Sequence, residues 1–170
     1  MEKTLNRLWE ERDSDLPYNK PEDLLTLASI IEKETSLPEE RPRVAGVFIN
    51  RLRKRMPLQA DPTLLYGLGL LVSEKKKSLT KKELKHPFPY NTYLYPGLPP
   101  TPIACPSLSS LEAAAHPLKT TELYFVADGT GAHQFASTLA IHQKNHSQWR
   151  LIRKKQEAEI RAKAVNSPPV

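Results

Sequence analysis

The sequence predicts an α+β protein, mostly helical with one small antiparallel β element, on three observations. Amphipathic segments with helix-start signals recur between residues 2 and 67, a hairpin pattern stands at about 122–136, and apolar positions at helical spacing resume after Thr138. With 170 residues, 39% of them hydrophobic, the chain can bury one core and reads most simply as a single domain over residues 1–170.

Residues 2–13 read as a short charged helix with Leu5, Leu8 and Trp9 on one side, followed by a linker. The central element is Pro21-Glu-Asp-Leu-Leu-Thr-Leu-Ala-Ser-Ile-Ile-Glu-Lys-Glu-Thr35. At about 100° per residue, Leu24, Leu27, Ala28, Ile31 and Thr35 share one face. Pro21 suits the first turn, where a missing N–H costs little, and Glu22 and Asp23 suit the positive end of the helix dipole. Glu32 falls near the polar flank. Glu34 falls between Leu27 and Ile30, on the border of the apolar face, where lost hydration disfavours the carboxylate and favours a protonated general acid. The bland alternative is a glutamate that reaches water or pairs with a nearby cation.

Ser36-Leu-Pro-Glu39 has capping-box spacing, and a second helix is expected over about 40–55 with Val44, Val47, Phe48 and Leu52 buried. Asp61-Pro62-Thr63 reads as a helix start with Asp61 as N-cap, closed by Gly67. Thr80-Lys-Lys-Glu83 and Ser109-Ser-Leu-Glu112 carry two more capping boxes. Prolines concentrate between residues 87 and 117, predicting an ordered, extended loop. Leu123-Tyr-Phe-Val-Ala127 and His133-Gln-Phe135 flank the turn Asp128-Gly-Thr-Gly131 as a β-hairpin. A long helix follows, highly charged over residues 153–170 and expected to fray from Ala162 onward.

The net charge of +6 is spread, with local clusters at Lys75–Lys77, Lys81–Lys82 and Arg153–Lys155. These clusters lack interleaved aromatics and a nucleic-acid motif, so no nucleic-acid partner is expected; a solvated surface or attraction to an anionic polymer fits better. Cys105 is the sole cysteine, which excludes an intrachain disulfide and a thiolate metal cluster; between prolines it reads as a small buried residue. No apolar run approaches the ~18 residues of a transmembrane helix.

Ala28-Ser-Ile-Ile-Glu-Lys-Glu-Thr35 and Val47-Phe-Ile-Asn-Arg-Leu52 resemble the endolytic murein transglycosylase, or YceG-like, family. So do Leu58-Gln-Ala-Asp-Pro-Thr63 with Tyr66-Gly67, Tyr90-Asn-Thr-Tyr93, Gly97-Leu-Pro-Pro100, Ala113-Ala-Ala-His-Pro117 and Leu123-Tyr-Phe-Val-Ala-Asp-Gly129. These blocks stand in family order and span roughly residues 16–146. The resemblance implies a lysozyme-like catalytic helix, a catalytic glutamate at Glu34, no cofactor and no metal. It implies cleavage of peptidoglycan glycan strands at the MurNAc–GlcNAc bond with 1,6-anhydro-MurNAc ends, terminating nascent strands, with peptidoglycan synthases as partners. It also implies a bacterial cell-envelope location on the outer face of the inner membrane, with the chain as the C-terminal part of a protein held by an N-terminal anchor.

Given a saccharide substrate, Gln59, Asp61, Asn91, Thr92 and Tyr93 are the candidate substrate-binding residues. Amides and hydroxyls bond sugar hydroxyl or acetamido groups, rings stack on sugar faces, and a proline-stiffened backbone lowers the ordering cost. Asn50 and Arg51 are expected to shape the cleft. Two rivals remain. A glycan-binding module would keep the groove without chemistry. A metal hydrolase would use His133, His142 and His146, but Gln143 stands where a metalloprotease has its glutamate base.

Overall fold

The computed structural model describes residues 1–71 and 79–165. The cluster Lys75–Lys77 and the tail from residue 166 therefore lie outside the described residues. By backbone contacts the chain divides into two compact units, Met1–Thr121 and Glu122–Val170.

The first unit is helical: α1 (Glu2–Glu11), α2 (Pro21–Glu34), a 3-10 turn (Pro38–Glu40), α3 (Arg41–Arg53), α4 (Asp61–Gly67), α5 (Lys81–Leu84) and α6 (Leu108–Ala115). Its axis is α2, which packs against α6, α3, α1 and α4. The predicted face of Leu24, Leu27, Ala28, Ile31 and Thr35 is buried, and so are Thr26, Ser29 and Ile30. A helix covered nearly all round has to satisfy its polar side chains internally. Ser29 Oγ does this by donating to the Thr26 carbonyl at 2.7 Å and accepting from the Ile103 amide at 3.0 Å. The start of α2 is closed by the Asp23 carboxylate, which accepts from the Asn19 and Lys20 amides at 2.8 and 3.3 Å.

Helix starts are where the structure departs from the local motifs. The Ser36/Glu39 box does not form. Thr35 Oγ1 accepts from the Leu37 amide and donates to Glu40, and the intervening 3-10 turn delivers the chain into α3. The cap of α6 is Ser107, two residues before the predicted Ser109, with Ser107 Oγ accepting from the Ser110 amide. Ala60, not Asp61, caps α4, so the Asp61 carboxylate is released for another use. The Thr80/Glu83 box forms as predicted. Leu52 is only partly covered, and Arg41 and Arg51 are buried on α3 instead. Cys105 is exposed rather than buried, because Ile103 and Pro106 take the inward positions of its stretch of loop.

Glycine roles near α4 also differ from expectation. The left-handed residue that closes the helix is Gly69, at φ +70°, with Gly69 N–H bonded to the Tyr66 carbonyl and Leu70 N–H to that of Leu65. Gly67 serves packing: a Cβ there would lie 2.0 Å from Cε2 of Phe88. Gly67→Ala is therefore expected to destabilise by about 1–3 kcal/mol through overpacking, read as a lower urea midpoint. An unchanged midpoint would mean that the Phe88 ring swings aside freely.

The long loop after α5 is held by Asn91, fully buried, whose amide donates to the Leu84 and His86 carbonyls at 3.1 and 2.8 Å and accepts from the Tyr93 amide. In the second unit β1 (Tyr124–Ala127) pairs antiparallel with β2 (His133–Ala136) in the register Tyr124 with Ala136 through Ala127 with His133. Helix α7 (Leu139–Val165) packs on both strands and is still helical over residues 162–165, the described part of the stretch expected to fray. Among the described residues no helix is long and apolar enough to cross a membrane.

Candidate active site

Glu34 is the last residue of α2 and is half-buried, with Ile30, Ile31 and Thr35 buried around it. Two residues earlier, Glu32 is in a quite different setting from the polar flank assigned to it by helical spacing. Its Oε2 accepts from the Ser107 amide at 2.9 Å, Ser107 Oγ at 2.7 Å and Ser110 Oγ at 2.6 Å, and its Oε1 faces Arg41 Nη2 at 3.6 Å. Burial acts to raise its pKa, but the bonds from Ser107 and Ser110 and the Arg41 charge outweigh it and bring the value down to about 2. Near neutrality Glu32 is thus a fixed anion tying α2 to the starts of α3 and α6.

The turn before α4 approaches from another direction. Arg51, buried on α3, donates Nη1 to the Pro57 carbonyl at 2.8 Å, and its Nη1 lies 3.4 Å from the Leu58 carbonyl and from Gln59 Oε1. Gln59 adopts φ +52°, a left-handed conformation uncommon for a residue with a Cβ, and its side chain is exposed. The Gln59 amide donates to the Thr92 carbonyl, the Ala60 amide to Thr92 Oγ1, and Thr92 Oγ1 meets Thr63 Oγ1 at 2.8 Å. These bonds stitch the 57–63 turn to the 91–93 loop.

Across that seam the Tyr93 hydroxyl donates a hydrogen bond to Asp61 Oδ1. Burial pushes the Tyr93 pKa well up, and so do the Asp61 charge and hydrogen bond and the nearby Glu34, against a smaller opposite pull from Arg51. Tyr93 therefore remains a neutral donor. Tyr93 thus ties the proline-rich loop to the start of α4, Arg51 on α3 reaches the same turn through Gln59, α4 packs on α2, and the charge of Glu34 at the end of α2 acts on the Tyr93 hydroxyl.

Of the five sequence-predicted binding residues, Gln59 and Asp61 are exposed and Tyr93 is half-buried beside them. Asn91 and Thr92 are buried, with their polar groups occupied in holding the loop. Asn50 donates to the Thr120 carbonyl at 2.7 Å. Exposed rings stand on the same loop and on α4: Tyr95 is exposed, and Tyr66 lies against Tyr90 with ring centroids 5.1 Å apart. The Glu32, Arg41, Ser107 and Ser110 cluster was not legible locally, since Glu32 and Ser107 are 75 positions apart.

In the second unit, His142 stacks on Tyr124 at 4.9 Å and His133 meets Phe125 edge-on at 5.4 Å. Among the described residues no group of three or more His, Cys, Asp or Glu side chains is gathered to hold a metal ion.

Comparison with known proteins points one way. A Bacillus subtilis (strain 168) protein named endolytic murein transglycosylase is 45% identical over 146 residues, 85% of this chain and 39% of that protein. A Streptococcus pneumoniae (serotype 2, strain D39) protein of the same name is 40% identical over 127 residues, 72% of this chain and 23% of its own. The crystal structure of a putative yceG-like protein from Listeria monocytogenes superposes with a TM-score of 0.70 at 44% identity, covering 84% of this chain and 44% of that one. The chain thus spans less than half the length of each of these relatives. The YceG-like family model matches residues 1–148, running through both compact units, and the chain belongs to that family.

Proposed function

We propose that this chain is the catalytic part of an endolytic lytic transglycosylase that cuts peptidoglycan glycan strands between N-acetylmuramic acid and N-acetylglucosamine. The observation that carries the reading is the division of labour between two glutamates two positions apart. Glu32 is consumed as a structural anion, while Glu34 is half-exposed at the end of α2 and its charge acts on Tyr93, the partner of Asp61. The names of the relatives supply the substrate class.

In this mechanism the Glu34 carboxyl gives its proton to the glycosidic oxygen as the C1–O bond breaks, and positive charge develops at the muramic C1. The resulting carboxylate takes the proton of the muramic C6 hydroxyl, whose oxygen attacks C1 and closes a 1,6-anhydro ring. One residue serves as acid and then as base, and no water enters the product. The end of α2 suits the first role, since the negative end of a helix dipole and aliphatic neighbours both disfavour a carboxylate there. Exposed Gln59 and the tyrosines supply polar and stacking contacts to the strand, while Asn91 and Thr92 keep the loop in place.

Strand termination, an envelope location, an N-terminal anchor and work beside peptidoglycan synthases belong to the same proposal. They rest on the relatives, of which this chain covers only a part.

The test is mass spectrometry of products from purified glycan strands. Anhydro-muramyl ends are expected; ends heavier by one water would make the protein a hydrolase, and uncut but bound strands a binding module. Because Glu34 does both proton transfers, EDTA is expected to leave the rate unchanged. A loss restored by zinc would return attention to His133, His142 and His146.

A further inference from the structure

A single acid/base leaves one charge unanswered. When the glycosidic bond breaks, the electron pair goes to the leaving oxygen and the muramic C1 is left electron-poor, and an enzyme gains most by aiming fixed opposite charge where charge develops. Glu34 is itself becoming negative at that moment, but it is occupied by the proton it is moving. The reaction calls for a second anion that neither donates a proton nor attacks.

From the geometry we infer that Asp61 is this group: a catalytic carboxylate that faces the oxocarbenium-like centre and is held in place by the Tyr93 hydroxyl. The inference rests on the function proposed above and assigns a role within it. Three observations carry it. Asp61 is freed from capping α4, since Ala60 takes that position, and its side chain is exposed at the seam between the 57–63 turn and the 91–93 loop. Its Oδ1 is aimed by the Tyr93 hydroxyl, whose own backbone is fixed by buried Asn91. Helix α4, which begins at Asp61, packs against α2, which ends at Glu34, and the Glu34 charge acts on Tyr93, so the two carboxylates come from different but adjoining elements.

In this proposal Asp61 acts as a charge and not as the nucleophile that a retaining glycosidase sets there to trap the sugar covalently. Here the C6 hydroxyl is the nucleophile, and its proton goes to Glu34. Asp61 enters and leaves the reaction unchanged, forming and breaking no bond.

The experiment compares Asp61→Asn, Tyr93→Phe and Glu34→Gln with the unaltered 170-residue chain on purified glycan strands, following anhydro-muramyl ends. Asparagine keeps an oxygen that accepts from Tyr93 and removes only the charge. Asp61→Asn is expected to lower kcat by about 10²–10³-fold with KM little changed. Tyr93→Phe, which leaves the charge but loosens it, is expected to lower kcat about tenfold. Melting of each variant controls for folding, and Asp61→Glu, which restores the charge at a displaced position, should recover part of the loss. A raised KM with kcat intact would make Asp61 a substrate contact only and overturn the inference. So would an asparagine variant as fast as the parent, or one slow only because it unfolds. The proposed function fails separately, through a parent chain that forms no anhydro ends or a Glu34→Gln variant that still does.

Discussion

Glu34→Gln is expected to abolish the release of anhydro-muramyl ends, by at least the 10²–10⁴-fold typical of a lost general acid, while far-ultraviolet dichroism and melting stay close to those of the parent. Glutamine matches glutamate in shape and fills the same half-buried position at the end of α2, so the core formed by Leu27, Ile30 and Ile31 is not disturbed. It cannot release a proton to the glycosidic oxygen or accept one from the C6 hydroxyl, so both halves of the proposed reaction should be lost together. Strand binding should survive, since the exposed rings and Gln59 are untouched. A Glu34→Gln chain that cuts at even a tenth of the parent rate would place the acid elsewhere, and the Asp61 and Tyr93 pair would be the first place to look.

The elements were legible wherever their cause is local. Apolar spacing placed α2, short strand-like runs on either side of a glycine turn placed the hairpin, and Thr80 with Glu83 placed α5, because each signal acts within one turn or one strand pair. Motifs failed where a distant residue competes for the same atom. Ser109 has capping spacing, yet Ser107 is the cap, because its amide and hydroxyl are also captured by Glu32 from across the core. Gly67 looks like a helix stop in sequence and is a clearance for Phe88 in space, with Gly69 making the stop.

The same distinction governs the site. Helical spacing set Glu34 on the border of the buried face because its neighbours three and four residues back are aliphatic. It set Glu32 on the polar flank because spacing knows nothing of Ser107, Ser110 and Arg41, which other helices bring to it. Asn91 and Thr92 have the chemistry of sugar contacts, and only burial reveals that the loop itself uses it. Sequence supplies the inventory of polar groups; packing decides which of them remain for a ligand.

Glu32→Gln should accordingly show up in stability, where Glu34→Gln shows up in activity. Replacing the carboxylate removes the charge that Ser107, Ser110 and Arg41 converge on. It also introduces an amide hydrogen where three donors already point, and leaves Arg41, with its side chain only 10% exposed, facing a neutral group. Charge-assisted hydrogen bonds and a largely buried ion pair at this level are worth about 2–4 kcal/mol when one partner is removed, so the urea midpoint should fall clearly. The pH dependence identifies the cause. Glu32 titrates at about 2 in the folded protein against an ordinary 4.5, so the unfolded chain binds its proton first as pH falls. Its contribution is therefore complete above about pH 4.5 and is lost as pH drops toward 2. The stability gap between parent and Glu32→Gln should be widest near neutrality and narrow steadily across that window. A gap that stays constant down to pH 2 would mean that the variant suffers from altered shape and that the anion itself stabilises nothing.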